Sequence, residues 1–139
     1  MSDVDYKLPG YTSVAPYIMA DGAQRVIDFL RQTFGAQQLR RVNDADGSVL
    51  HAEVRIDDTV VMIADGGERA FPTWIHVYVP DVDETYRRAL AAGGLVVQDP
   101  VQKDDPDRRG GVQDPAGNVW WIATQQRPVP PPIPEVVAE

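Results

Sequence analysis

The chain of 139 residues is long enough for one domain of ordinary size, and its 43% apolar fraction is typical of a globular protein. A formal net charge of −8 argues against partners such as nucleic acid or an anionic membrane surface, and the absence of cysteine excludes disulfides, thiolate metal sites and a cysteine nucleophile. No apolar run approaches the ~20 residues that span a bilayer, and residues 1–5 lack the basic and apolar regions of a signal peptide, so we expect a cytoplasmic protein.

The first half of the chain predicts one strand, one helix and three further strands. Residues 13–20 form the first predicted strand, Asp21 is placed to cap the helix at its start, and Gly35 is placed to end it. The later strands, with a turn at 44–47 between the first two of them, are predicted at 36–42, 49–56 and 59–64.

The second half repeats this order of elements. A strand over 73–79 precedes a helix that begins after Asp81 and ends before Gly93, and strands follow at 95–98, 108–113 and 118–124. The two predicted caps, Asp21 and Asp81, lie 60 residues apart, and the last strands of the two halves have the same spacing. A β-α-β-β-β unit therefore occurs twice, which predicts an α+β fold.

We divide the chain into two modules, 12–65 and 73–126, and two tails. The tail 1–11 is polar and closes with Pro9-Gly10. The tail 127–139 is rich in proline, which favours extended polyproline II and prevents pairing inside a sheet. This second tail is either a loose terminus or an arm that lies across a partner subunit.

The turn before the last strand carries the most specific motif, Asp114-Pro115-Ala116-Gly117-Asn118. Together with the helices at 23–35 and 81–94, this turn makes residues 12–126 resemble the vicinal oxygen chelate superfamily, which includes glyoxalase I, extradiol dioxygenases, and fosfomycin- and bleomycin-resistance proteins. The resemblance implies two modules that form curved half-barrel sheets around a cavity, in a strand- or module-swapped homodimer. It does not imply one activity, because members share a scaffold and differ at the site.

The enzymes of this superfamily hold a divalent metal with His or Glu side chains on the first and last strands of each module. The resemblance places these positions at Val14, Val61, Trp74 and Trp121, or at Ala15 and Met62 where the count is uncertain by one residue. None of these side chains suits a hard cation. We therefore expect no metal cofactor, and the chain is closest in character to the bleomycin-resistance-like branch.

Strand parity places Trp74, His76 and Tyr78 on one face of their strand, and Trp121 also points to the predicted cavity. A cavity lined by indole suits a flat aromatic ligand. The alternative is that both tryptophans fill a cavity that binds nothing.

His51, Glu53 and Arg55 alternate on one face of another strand, opposite Leu50 and other apolar side chains. If this polar face meets His76, two histidines and one glutamate are adequate metal ligands. The alternatives are contact with an organic ligand or a solvated strand face. The acidic loop 103–107, beside Arg109, is either a solvated turn or a surface that attracts a cationic ligand.

These observations predict a non-enzymatic protein that sequesters a bulky aromatic compound, such as a peptide-like antibiotic, in the cavities of a homodimer. One alternative is a metal-dependent lyase or dioxygenase with displaced ligands, and another is a metal-free enzyme with His51 or His76 as general base. The predicted ligand-binding side chains are Trp74, Trp121, His76, Tyr78, His51, Glu53, Arg55, Val61 and Arg109.

Overall fold

The computed structural model describes residues 4–128, so that the predicted tail 127–139 lies outside the described residues from position 129 onward. In chain order the elements are β1 (Tyr17–Ala20), α1 (Ala23–Phe34), β2 (Gln37–Asn43), β3 (Val49–Ile56), β4 (Thr59–Asp65), β5 (Trp74–Tyr78), α2 (Val82–Ala91), β6 (Leu95–Gln102), β7 (Asp107–Gln113) and β8 (Val119–Gln125). A short 3₁₀ turn, Gly67–Arg69, joins the halves.

The strands form two four-stranded sheets with the same topology, β1-β4-β3-β2 and β5-β8-β7-β6. In each module, the first strand along the chain pairs in parallel with the last one, as β1 does with β4 and β5 with β8. The remaining strand pairs are antiparallel. This repeated topology confirms the predicted α+β fold of tandem β-α-β-β-β modules with curved sheets.

Each helix covers one face of its own sheet, and the two helices contact each other. A single apolar core therefore runs through both modules; Phe34 of α1, for example, packs on Trp120 of β8 with ring centroids 5.5 Å apart. No helix or strand of the described chain covers the sheet faces opposite the helices, although the segment with Gly10 and Tyr11 contacts Arg55 and Glu53 on the first of them. We call them the first open face, which carries Tyr17, His51 and Glu53, and the second open face, which carries Trp74, His76 and Trp121.

The start of the first module differs from the sequence prediction. Strand β1 begins at Tyr17 and not at residue 13. Pro16 has no N–H to add to the ladder, although its carbonyl accepts a hydrogen bond from the Met62 amide at 2.9 Å.

The cap of α1 was also assigned to the wrong residue. Gly22, not Asp21, occupies the N-cap position, with φ 88°, a left-handed conformation that favours glycine. The Ala23 amide instead donates to Asp65 Oδ1 at 2.8 Å, and the other oxygen of Asp65 accepts from the Val49 amide at 2.7 Å. One carboxylate from the end of β4 thus fixes both the start of α1 and the start of β3.

Other boundaries were predicted correctly. Gly35 ends α1 in a left-handed conformation, with φ 65°. Asp81 caps α2 by accepting from the Glu84 amide at 3.1 Å. Strand β6 is longer than predicted because it lies at the edge of its sheet, where Pro100 can be accommodated without a ladder hydrogen bond.

Candidate binding site on the open sheet faces

The second open face presents a pair of indole rings. Trp74 of β5 and Trp121 of β8 pack edge to face, with centroids 5.4 Å apart and an interplanar angle of 65°. Trp74 is 72% exposed, whereas the Trp121 ring lies against the backbone of Gly111, where an added Cβ would come within 2.7 Å of Cζ3. The pair has no gap between its rings, so a planar ligand would stack on the outer side of Trp74 and not between the two.

Arg109 occupies the centre of the polar part of this face. Its Nε donates to His76 Nε2 at 3.1 Å, and its two terminal nitrogens donate to Asp105 and Asp107, each at 2.8 Å. Because His76 Nε2 accepts this bond, the proton of the neutral ring is on Nδ1. The Tyr78 hydroxyl donates to the same Asp107 carboxylate at 2.7 Å. The structure therefore brings together three of the predicted site residues, His76, Tyr78 and Arg109.

Burial lowers the pKa of His76, and the Arg109 guanidinium lowers it further, against the opposing effect of Asp107 and Asp105. The ring is thus held neutral next to a fixed positive charge. Asp105 and Asp107 are committed to Arg109, and Asp107 is only 6% exposed. Asp107 is therefore not part of a freely solvated turn, whereas Asp105 remains exposed beside the Arg109 guanidinium that balances its charge.

The first open face carries a chain of hydrogen bonds centred on Glu53. Glu53 is 4% exposed; its Oε1 accepts from the Tyr11 hydroxyl at 2.5 Å, and its Oε2 lies 2.7 Å from His51 Nε2. The other ring nitrogen of His51 lies 3.0 Å from the hydroxyl oxygen of Tyr17. Burial by itself raises the pKa of Glu53, but the bonds from Tyr11 and His51 outweigh burial and leave this pKa below its ordinary value.

Sequence reasoning missed both tyrosines of this network. Tyr11 was assigned to a polar tail, yet its segment lies across the first open face, where Arg55 also donates to the Gly10 carbonyl at 3.3 Å. Tyr17 was placed on a strand without a role. Tyr11 and Glu53 are 42 positions apart, and no local pattern signals such a contact.

Val61 does not belong to either open face. It pairs with Val54, is 3% exposed and is part of the core beside the helices. Met62 is the residue that pairs with both Tyr17 and Glu53, as Trp121 pairs with His76 and Gly111 in the second sheet. Val61 thus lies on the opposite side of its strand from the one expected, but it also lines a cleft between the two modules, so its role in ligand binding stays a prediction.

The apolar side of β3 also needs a correction, since Leu50 is 53% exposed and not part of the core. Its position follows an irregular stretch of the β2–β3 pairing, where the register shifts between Val42 and Asn43. Such a shift changes which face a side chain points to.

The three candidate metal ligands are not brought together within one chain. His51 and Glu53 lie on the first sheet, whereas His76 lies on β5 of the second sheet. In residues 4–128 no group of three or more His, Asp or Glu side chains is arranged to hold a metal ion. The displaced-ligand arrangement considered from the sequence is thus not formed in one protomer.

A cleft of about 300 Å³ separates the two modules next to β5. Its lining includes Ile56 and Asp57 from the first module and His76, Tyr78 and Trp120 from the second. The cleft thus adjoins the second open face, because His76 and Tyr78 belong to both.

None of the helices within the described part of the chain is long and apolar enough to cross a membrane.

Two tandem modules that each leave one sheet face open define a protein of the paired β-α-β-β-β class. The chain belongs to the Glyoxalase/Bleomycin resistance protein/Dioxygenase superfamily, whose family model matches residues 13–122. Among curated proteins, it is 36% identical over 130 residues to the uncharacterised protein Rv0887c of Mycobacterium tuberculosis, covering 84% of this chain and 76% of that protein. An uncharacterised protein of Mycobacterium bovis is equally similar, at 36% identity, with 86% of its length covered.

Solved structures show the same fold. TioX from Micromonospora sp. ML1 is 28% identical, with a TM-score of 0.67 over 81% of this chain and 95% of that one. TnmS3, described as an antibiotic binding protein from Streptomyces sp. CB03234, is 19% identical, with a TM-score of 0.63 over 82% of this chain and 98% of that one. A glyoxalase-related enzyme from Fulvimarina pelagi is also 19% identical, with a TM-score of 0.66 over 92% and 99% of the two chains.

Proposed function

We propose that this protein binds a planar aromatic compound on its second open face and sequesters it without chemical change. The observation that carries the proposal is the exposed Trp74 ring, which Trp121 holds from one side and which no described element covers from the other. Stacking of a planar base on an aromatic side chain contributes about 1–3 kcal/mol in comparable nucleic-acid sites.

The fixed orientation of the two rings supports binding over simple filling of a cavity. A tryptophan that merely fills space is enclosed on all sides, as Trp120 is with 0% exposure. Trp74 is exposed, yet its partner Trp121 packs closely against Gly111, which limits the movement of the inner ring of the pair. Rigidity reduces the entropy lost on binding and thereby favours affinity.

The exposed apolar surface supports a homodimer as the binding form. Trp74 and Tyr78 of β5 are 72% and 61% exposed, and Leu95 on the opposite edge strand, β6, is 62% exposed in the same row across the sheet as Trp74. Large apolar side chains exposed on one sheet face mark a candidate interface or ligand site. We propose that the open face of one protomer is covered by a second copy of the chain, which encloses the ligand between them.

The relatives support the same function. TnmS3 is described as an antibiotic binding protein and shares the fold. An antibiotic or a similar aromatic metabolite is therefore the ligand class we propose. The alternative, a metal-dependent enzyme with His51, Glu53 and His76 as ligands, would need side chains from two open faces.

The test is equilibrium dialysis of the purified protein against proflavine, a planar cationic dye that suits the net charge of −8. Replacing Trp74 by Ala should weaken binding about 5- to 150-fold, because the lost stacking is worth about 1–3 kcal/mol. Phe71→Ala is the matched control, since Phe71 is also an exposed aromatic, at 57%, but precedes β5. Equal affinities of the wild type and the Trp74→Ala variant would refute the proposal.

A further inference from the structure

The hydrogen bond between Arg109 and His76 fixes the position of the proton on the histidine ring. A guanidinium has no acceptor atom, so Arg109 Nε can only donate, and His76 Nε2 at 3.1 Å must accept. The proton of the neutral ring is therefore on Nδ1. Desolvation of the ring and the charge of Arg109 both lower the pKa of His76, which keeps the ring neutral at neutral pH.

The Nδ1 proton of His76 is a donor that the protein leaves unused. Within residues 4–128 no group accepts a hydrogen bond from it, and the side chain is exposed. The Tyr78 hydroxyl, in contrast, donates to Asp107, and Arg109 donates to the same carboxylate. His76 thus presents the Nδ1–H group at the second open face.

This donor lies next to the exposed face of the Trp74 ring. Trp74 and His76 are two positions apart on β5, so their side chains share one face of the strand, with Cα atoms about 6–7 Å apart. His76 also pairs across the sheet with Trp121, whose ring packs on Trp74. A system of two or three fused rings on the outer side of Trp74 therefore brings one of its edges within reach of His76.

We propose that His76 Nδ1–H is a recognition group that selects aromatic ligands with a hydrogen-bond acceptor at the ring edge, namely a ring nitrogen, a ketone or a quinone oxygen. The lone pair of such an acceptor lies in the plane of the rings, and the ligand can turn on Trp74 until this lone pair meets the donor. A hydrocarbon ring of the same shape displaces water from the Nδ1 proton without replacing its hydrogen bond.

The inference rests on the proposed function, because it requires a ring stacked on Trp74, and it adds the chemical class of the ligand. The experiment compares quinoline with naphthalene. Both probes have two fused planar rings and are uncharged at pH 7.5, and they differ in one acceptor nitrogen.

Equilibrium dialysis at pH 7.5 gives the ratio of the quinoline affinity to the naphthalene affinity. This ratio should be about 3- to 10-fold higher in the wild type than in His76→Phe, the size expected of one neutral hydrogen bond. Comparing ratios between variants cancels the difference in hydrophobicity between the two probes. Tyr86→Phe is the matched control, because the Tyr86 hydroxyl donates to Asp99 at 2.7 Å and its loss should leave the ratio unchanged.

A second measurement tests the tautomer without a ligand. Nitrogen NMR distinguishes protonated from unprotonated imidazole nitrogens, and the chain has two histidines, so the spectrum of His51→Gln assigns the signals of His76. We expect Nδ1 of His76 to be protonated and Nε2 to be unprotonated at pH 7.5. The opposite tautomer would refute the inference.

The proposed function and this inference fail separately. If Trp74→Ala weakens the binding of proflavine and naphthalene but His76→Phe leaves the affinity ratio unchanged, the role of His76 is refuted and the proposed function stands. A wild type that binds proflavine but not quinoline also refutes the role of His76. If Trp74→Ala changes the binding of neither proflavine nor the two probes, the proposed function fails, and the inference fails with it.

Discussion

Replacing Asp114 by Asn should strongly destabilise the fold although the two side chains have nearly the same shape. Asp114 is 2% exposed and lies at the start of the turn between β7 and β8. One of its oxygens accepts from the Ala116 and Asn118 amides at 2.9 and 3.1 Å. The other accepts from Asn118 Nδ2 at 3.0 Å and from Trp120 Nε1 at 2.8 Å.

An asparagine at this position offers one acceptor oxygen and adds two N–H donors. In one orientation its amide group faces Asn118 Nδ2 and Trp120 Nε1, and in the other it faces the two backbone amides. Either way two buried donors lose their acceptor, at about 1–3 kcal/mol each, or about 2–6 kcal/mol together. That is a large share of a typical total stability of about 5–15 kcal/mol.

Urea denaturation followed by near-ultraviolet circular dichroism measures the effect. With a slope of about 2 kcal/mol per molar urea, the midpoint should fall by about 1–3 M. Asp44→Asn is the matched control: Asp44 begins a turn with the same backbone bonds, to Ser48 at 2.8 Å and from Gly47 at 3.0 Å, but it is exposed. Its replacement should change the stability by less than about 0.5 kcal/mol. Equal midpoints for Asp114→Asn and Asp44→Asn would refute the reasoning.

Three further predictions concern the second open face. Gly111→Ala should displace the Trp121 ring, lower the free energy of unfolding by about 1–3 kcal/mol and weaken proflavine binding. Tryptophan emission that does not change in this variant would contradict the prediction. The pKa of His76 is lowered in the folded state, so the folded protein should lose stability as the pH falls below 6.5, the ordinary pKa of a histidine. His76→Gln should therefore make the free energy of unfolding less dependent on pH between 6.5 and about 5. The same pH dependence in the variant and the wild type would contradict this prediction. Sedimentation at micromolar concentration should give a homodimer that Trp74→Asp weakens, whereas a monomeric wild type would remove the proposed interface.

The sequence by itself determined the elements and their order. Alternating and helical periodicities are local, and so are the residues that end elements, such as Gly35 and Asp81. The Asp114 turn was recognisable because its glycine and its hydrogen bonds involve neighbouring residues. These local features sufficed for the fold class and for the faces of Trp74 and His76.

Parity across a turn was decided only by the tertiary structure. The β3–β4 connection is short, with Ile56 paired to Thr59, whereas in the β7–β8 connection Gln113 pairs with Val119. If the last strands of the two modules are aligned by a repeat of 60 residues, the alignment is wrong by one residue. Because side chains alternate between the two faces of a strand, an error of one residue assigns every side chain to the wrong face. Val61 was therefore expected at the cavity, although the structure places it in the core.

Contacts between distant positions were likewise decided only by folding. Tyr11 reaches Glu53 across 42 positions, and Arg109 reaches His76 across 33. Composition and periodicity carry no information about which two polar side chains meet, because that depends on how whole strands pack and register. The individual elements are thus fixed by neighbours in the chain, and the polar networks of both open faces are fixed by neighbours in space.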